Sequence, residues 1–206
     1  MTLFFDRFDS LIENFMLLIK DPKYWLIDSL ILTNEESVSL VEMTKSTKGI
    51  LLYRATRDGF TSQAFHSKCD GKGKTITIIK NNLNYIFGGY ASSAWNSSEN
   101  FINDSNAFLF SLRRAGVSFK DKFTVKRAEH ALYGNSRYGP TFGIHDIHIC
   151  NHSNTKIGSN SNFGDLYNLP DGYTYCGNAK DFLAGNYYQW TSIEIEVYQI
   201  IQFSLE

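Results

Sequence analysis

The chain is 206 residues long and carries 20 Lys and Arg against 21 Asp and Glu, for a formal net charge of -1. Hydrophobic residues at 43% and charged residues at 20% exclude wholesale disorder. The balanced charge gives no basic field of the kind that non-specific nucleic-acid binding depends on.

That length suits one domain, or one domain with an appendage, at about 100–200 residues per domain. Aromatic residues are 15%, with 16 Phe and 12 Tyr against only 3 Pro, which leans toward sheet. No run approaches the roughly 20 apolar residues of a membrane span. Asp6, Arg7, Asp9 and Glu13 interrupt the apolar N-terminus, so no secretory signal is expected. Cys69, Cys150 and Cys176 are widely spaced and odd in number, and no CxxC occurs. That is neither a disulfide framework nor a structural zinc site, and the expectation is a reducing, cytoplasmic compartment.

Residues 3–20 place Phe5, Phe8, Ile12, Phe15 and Ile19 at alternating spacings of three and four, an amphipathic helical stripe. Asp21-Pro22 stops it. Such a stripe docks on its own domain or on a partner; its mixed polar face makes anionic lipid a poor match. A second helix is expected from Thr33, where Thr33 and Glu36 have capping-box spacing.

From residue 49 the pattern changes to strands. Residues 50–55 and 75–80 are β-branched or aromatic runs. Residues 85–91 follow a turn at 81–84, so 75–91 reads as a hairpin. Residues 61–69 have helical spacing between the first two strands. Strands are expected at 107–112 and 119–127, with a long one at 141–150 and a last one at 191–203. A long loop covers 151–168. Many strands at short spacing, without regular intervening helices, argue for an antiparallel sandwich.

Several patterns invite chemistry. Gly73-Lys74-Thr75 matches the end of a phosphate-binding loop, but Lys68 stands where the first glycine is required and a strand follows, so a tight turn is expected. On an extended strand Asp146, His148 and Cys150 would share one face. A metal would need a further ligand from elsewhere, so a half-exposed strand with a polar face is expected and no metal site is assigned. Glu194 and Glu196 could form an acid/base pair, but on an edge strand such a pair is a solvated face. Cys69, with His66 three residues before it and Lys68 and Lys72 near, is a candidate redox thiol, since cations favour the thiolate. Its place at a helix C-terminus opposes that. No nucleophile elbow is present.

A set of motifs then occurs in order: residues 51–60 (LLYRATRDGF), 64–73 (AFHSKCDGKG), Phe87-Gly88-Gly89-Tyr90 with Trp95, and residues 107–112 (AFLFSL). Gly139-Pro140-Thr141-Phe142-Gly143 with Asp146-Ile147, Phe182-Leu183-Ala184-Gly185 and Ile195-Glu196-Val197-Tyr198 complete it. Together they resemble the TLDc domain of the eukaryotic oxidation-resistance proteins, over about residues 28–201. The organisation expected is a 1–27 helical extension followed by a TLDc domain over 28–206.

The resemblance implies a mainly β, α+β fold, with two antiparallel sheets packed as a β-sandwich and short helices on its surface. It implies no cofactor and no agreed catalytic mechanism. It also implies protection from oxidative damage and association with the peripheral sector of the vacuolar proton-pumping ATPase, which would bring a cytoplasmic monomer to acidic organelles. Asp58, Gly59, Phe60, His66, Asp70, Gly88, Gly89, Gly139, Gly143, Gly185 and Glu196 are carried over as structural or binding positions. The two functional readings are a non-enzymatic interaction module and a thiol-dependent, peroxide-reducing protein using Cys69.

Overall fold

The computed structural model describes residues 28–46 and 48–201. The expected 3–20 helix, and with it the 1–27 extension, lies outside the described residues.

Helix α1 (Asn34–Thr44) begins as its local sequence dictates. The Thr33 hydroxyl accepts from the Glu36 N–H at 3.3 Å and the Glu36 carboxylate accepts from the Thr33 N–H at 2.9 Å. That reciprocal box satisfies two orphan donors of the first turn. Strand β1 (Lys48–Arg54) runs into the single-turn α2 (Ala55–Asp58), and α3 (Ser62–Cys69) follows, capped by the Thr61 side chain. Then come β2 (Thr75–Asn81), β3 (Ile86–Ala91), β4 (Asn100–Ile102), β5 (Phe108–Arg114) and β6 (Val117–Thr124). A 3-10 turn (Ala128–His130) precedes β7 (Leu132–Gly134), β8 (Thr141–Phe142) and β9 (Ile147–His148), and β10 (Ser192–Ile201) closes the described chain.

Two antiparallel sheets form, with orders β1-β10-β2-β3-β5-β6 and β4-β7-β8-β9. The mainly β, α+β class with two antiparallel sheets that the resemblance implies, in agreement with the strand pattern, is what folds. The larger sheet is buried on both faces. One face, with Ile79, Phe87, Leu109, Ile195 and Val197, meets the smaller sheet and the long loops. The other, with Ile76, Ile78, Phe110, Tyr198 and Ile200, is covered by α1 and residues 31–32. Burial on both sides explains why residues 75–80 read as a continuous apolar run rather than an alternation.

Helix α1 is fastened to the sheet at both ends. Arg113 on β5 donates to both oxygens of Glu36, at 3.1 and 2.9 Å, and Lys122 on β6 donates to the Met43 carbonyl at 3.0 Å. The β2–β3 turn is held by the Asn81 side chain, which accepts from the N–H groups of Leu83 and Tyr85. The β5–β6 turn uses Ala115 and Gly116, both at positive φ, as a two-residue hairpin requires. Residues 70–75 make the expected tight turn, with Gly71 and Gly73 at φ 71° and 75° and β2 after it.

Two expectations are corrected. Residues 141–150 are not one long strand. Gly143 turns the chain at φ 66°, so only the short β8 and β9 pair, Phe142 against Ile147. The expected polar outer face is absent as well, because Asp146 and His148 are buried. The Asp146 carboxylate leaves any strand pattern to accept the N–H groups of Gly164, Asp165 and Leu166 at 2.8–3.1 Å. Similarly, Glu194 and Glu196 do not lie on an edge. Strand β10 runs between β1 and β2, and a register shift between Ser192 and Glu194 turns Ile193 outward and both carboxylates inward.

Candidate functional site

Glu196 lies opposite Arg54 in the β1–β10 register and is fully buried. One carboxylate oxygen accepts from Arg54 Nε and from the Leu30 N–H, both at 2.9 Å; the other accepts from Ser29 Oγ at 2.6 Å and from the Tyr198 hydroxyl at 3.3 Å. Arg54 also donates to the Asp28 carbonyl. Ser29 Oγ in turn accepts from the N–H groups of Ile31 and Leu32. The ion pair therefore straps residues 28–32 across the sheet. Burial and the Glu196 charge together push the Tyr198 hydroxyl well above its ordinary range, which keeps it a donor.

The neighbouring carboxylates are used in the same way. Glu194 accepts from the N–H and hydroxyl of Thr56 and so fixes α2. Asp58 accepts from the Arg54 N–H at 3.0 Å and pairs with Arg57 at 2.7 Å, and that bond to Arg57 holds its carboxyl below the usual range. Gly59 ends α2 at φ 102°, and its carbonyl accepts from the Tyr53 hydroxyl at 2.8 Å. Phe60 packs against the inner core, and its carbonyl accepts from the His152 N–H.

His66 and Asp70 form a second cluster at the end of α3. Asp70 meets His66 Nδ1 at 2.8 Å and accepts from Ser97 Oγ at 2.8 Å. His66 Nε2 faces the carbonyls of Asn135 and Tyr138, at 2.9 and 3.0 Å. The imidazole thus bridges α3 to the turn after β7. It does not point at Cys69.

Cys69 is fully buried among Phe65, Trp95 and the inner core. Burial, followed by the Asp70 charge, pushes its thiol far up, and a thiol in that state is a poor nucleophile. Sequence proximity of Lys68 and Lys72 suggested the reverse; both are exposed, and desolvation outweighs them.

The glycines carried over from the motifs are places of close approach. A Cβ on Gly88 would lie 1.9 Å from the Thr77 carbonyl oxygen, and one on Gly89 would lie 2.5 Å from the Phe142 ring. The pair faces opposite sides of the larger sheet and lets both cores reach β3. Gly139 packs on Ile149 and Gly185 on Tyr85, while Gly143 makes the turn described above. Among the described residues no group of three or more His, Cys, Asp or Glu is placed to hold a metal ion.

Motif by motif, these residues hold one another in a single arrangement, and residues 26–201 match the TLDc domain family. The chain belongs to that family. Over 62 residues it is 32% identical to the MTOR-associated protein MEAK7 of Danio rerio, a stretch that is 30% of this chain and 14% of that protein. The chain therefore matches only a small part of that relative.

Two residues central to the TLDc architecture escaped the sequence reading. Arg54 sat in plain view as the lone charge in an apolar strand, a signal for a buried pair. Ser29 had no such signal, because its partner is 167 residues away. No described helix of this TLDc domain is long and apolar enough to cross a membrane.

Proposed function

We propose that this TLDc domain is a non-enzymatic interaction module, which protects against oxidative stress by binding the peripheral sector of the vacuolar proton-pumping ATPase on the cytoplasmic side of acidic organelles. The observation that carries this reading is where the motif side chains point. Asp58, Asp70, Glu194 and Glu196 are each engaged by donors or cations of the chain itself, and His66 by the Asp70 carboxylate and two backbone carbonyls. They rigidify a scaffold rather than line a reaction site, and a rigid scaffold presents its loops and edges to a partner. A relative described as MTOR-associated is named for its association with another protein, which supports an interaction role.

The test is affinity capture of tagged full-length protein from its own source, with mass spectrometry of what co-purifies. Pump subunits in stoichiometric amounts, recovered equally with Cys69→Ser, are expected. Capture that returns no pump subunit overturns the partner assignment. The thiol reading is tested separately: Cys69→Ser is expected to consume peroxide no more slowly than the parent, in keeping with the burial of Cys69.

A further inference from the structure

The polar atoms that meet the His66 ring are all acceptors. Asp70 Oδ1 stands 2.8 Å from Nδ1, and the carbonyl oxygens of Asn135 and Tyr138 stand 2.9 and 3.0 Å from Nε2. A backbone carbonyl only accepts, and so does an ionised carboxylate. Asp70 is placed as an ionised one, since its other oxygen accepts from Ser97 Oγ at 2.8 Å.

A neutral imidazole has one N–H and one bare nitrogen. With the proton on Nε2, the Nδ1 lone pair would face a carboxylate. With the proton on Nδ1, the Nε2 lone pair would face two carbonyls. Only the imidazolium, a donor at both nitrogens, satisfies both sides. The ring is 9% exposed, so water does little to relieve a bare lone pair set against an acceptor.

The charges packed around the ring agree with that state. Asp70 is the anion in contact. Glu99 is a second one, beside the turn on the far side of the ring, where it accepts from Asn135 Nδ2 and from the N–H and hydroxyl of Ser136. Those Ser136 bonds first, and then the charges of Arg137 and His66, hold the Glu99 carboxyl below its ordinary range. On α3 itself Lys68 is exposed and the Cys69 thiol is pushed far up, so it carries no charge. The Phe65 ring packs edge-on at 4.8 Å.

What the ring joins sets what its charge controls. Asn135 and Tyr138 bound the turn after β7, which the Tyr138 N–H closes on the Asn135 carbonyl at 3.0 Å. Ser136 and Arg137, at its tip, are exposed. The geometry points to a proton-controlled clasp, in which the His66 imidazolium pins the 135–138 turn to α3 and loss of one ring proton frees that turn. The proton that leaves to water is the one on Nε2, because the bond from Nδ1 to a carboxylate is charge-assisted and the stronger of the two. Nε2 then turns a lone pair to the two carbonyls, and the tip with Arg137 comes away from α3. The clasp is independent of the pump-binding reading.

Nuclear magnetic resonance of the full chain tests it, with the His66 ring nitrogens and the amides of Asn135 to Tyr138 followed as pH is raised from about 5 to 9, across the range in which imidazoles titrate. At the acid end both ring nitrogens should be protonated and the turn closed. On raising the pH, Nε2 should lose its proton and the turn amides should shift in the same step, while the amides of β2 stay in place. Asp70→Asn keeps an acceptor for Nδ1 and removes the negative charge, so it should move that step to lower pH by about ten-fold in proton concentration. A neutral ring with the turn amides unmoved overturns the proposal. So does a ring whose protonation never changes over this range in the folded chain, or a step that Asp70→Asn leaves where it was. Should that variant fail to fold, the titration of the parent alone decides between a clasp and a passive contact.

Discussion

A single methyl group distinguishes three glycines that look alike in the sequence. At Gly88 an added Cβ would meet backbone, the Thr77 carbonyl oxygen at 1.9 Å, and at Gly89 it would meet the Phe142 ring at 2.5 Å. Backbone in the middle of a sheet cannot step aside, whereas a ring can shift slightly. Gly73 has positive φ but nothing within 4 Å, so alanine there adds only backbone strain. Urea denaturation should rank the substitutions accordingly. Gly73→Ala should cost about 1 kcal/mol, the price of a left-handed residue, and Gly89→Ala about 1–3 kcal/mol from overpacking. Gly88→Ala should cost more than either, or prevent folding. A Gly88→Ala protein as stable as the parent would mean that β2 and β3 are not packed as described.

At the scale of elements, the strap over residues 28–32 depends on one buried ion pair. The Glu196 side chain is 0% and that of Arg54 14% exposed. Removing one partner of a buried pair leaves the other uncompensated, typically at about 3–5 kcal/mol. Glu196→Ala should therefore lower thermal stability markedly. It should also speed hydrogen exchange at the Leu30 amide, which donates to Glu196. Pump capture at a temperature where the variant stays folded should be unchanged, because this carboxylate faces inward; lost capture with an intact fold would make it a binding residue. The same pair shows what the sequence could and could not reveal. Local signals survived: the capping box at Thr33 and Glu36, the β2–β3 hairpin and the α3 helix were all legible, because each depends on residues a few positions apart. Residues 141–150 misled because Asp146 is drawn to backbone donors about 20 positions away, so a period-two pattern arose without a strand. Glu194 and Glu196 misled because alternation reveals that two residues share a face, but not whether that face is covered. The cover is Thr56 of α2 over Glu194 and residues 28–30 over Glu196, both packed from far along the chain.

At the scale of the whole molecule, the interior behind the smaller sheet holds two ionisable groups that oppose each other. Burial, aided by the charge of His145, lowers His148 to about 4, while burial raises Asp146 to about 7 against the pull of its backbone donors. Each shift fixes the sign of a contribution to stability. For His148 the folded value lies below the ordinary 6.5, so the unfolded chain takes up the proton first and stability is lost as pH falls from 6.5 toward 4. For Asp146 the folded value lies above the ordinary 3.8, so the folded chain holds the proton longer and stability is lost as pH rises from about 4 toward 7. In the parent the two slopes offset over the same window. Substituting one group should therefore expose the other. Relative to the parent, His148→Phe should lose stability as pH is raised from about 4 to 6.5, because it lacks the His148 linkage that stabilises the parent across that window. Asp146→Asn should tilt the opposite way, losing stability relative to the parent as pH is lowered through the same window. Carboxylates elsewhere, such as Asp58, add the same slope to all three proteins and cancel in these differences. Urea midpoints measured across the window decide the matter: two difference curves tilted in the same direction would mean that one of the two groups is not buried as the fold places it.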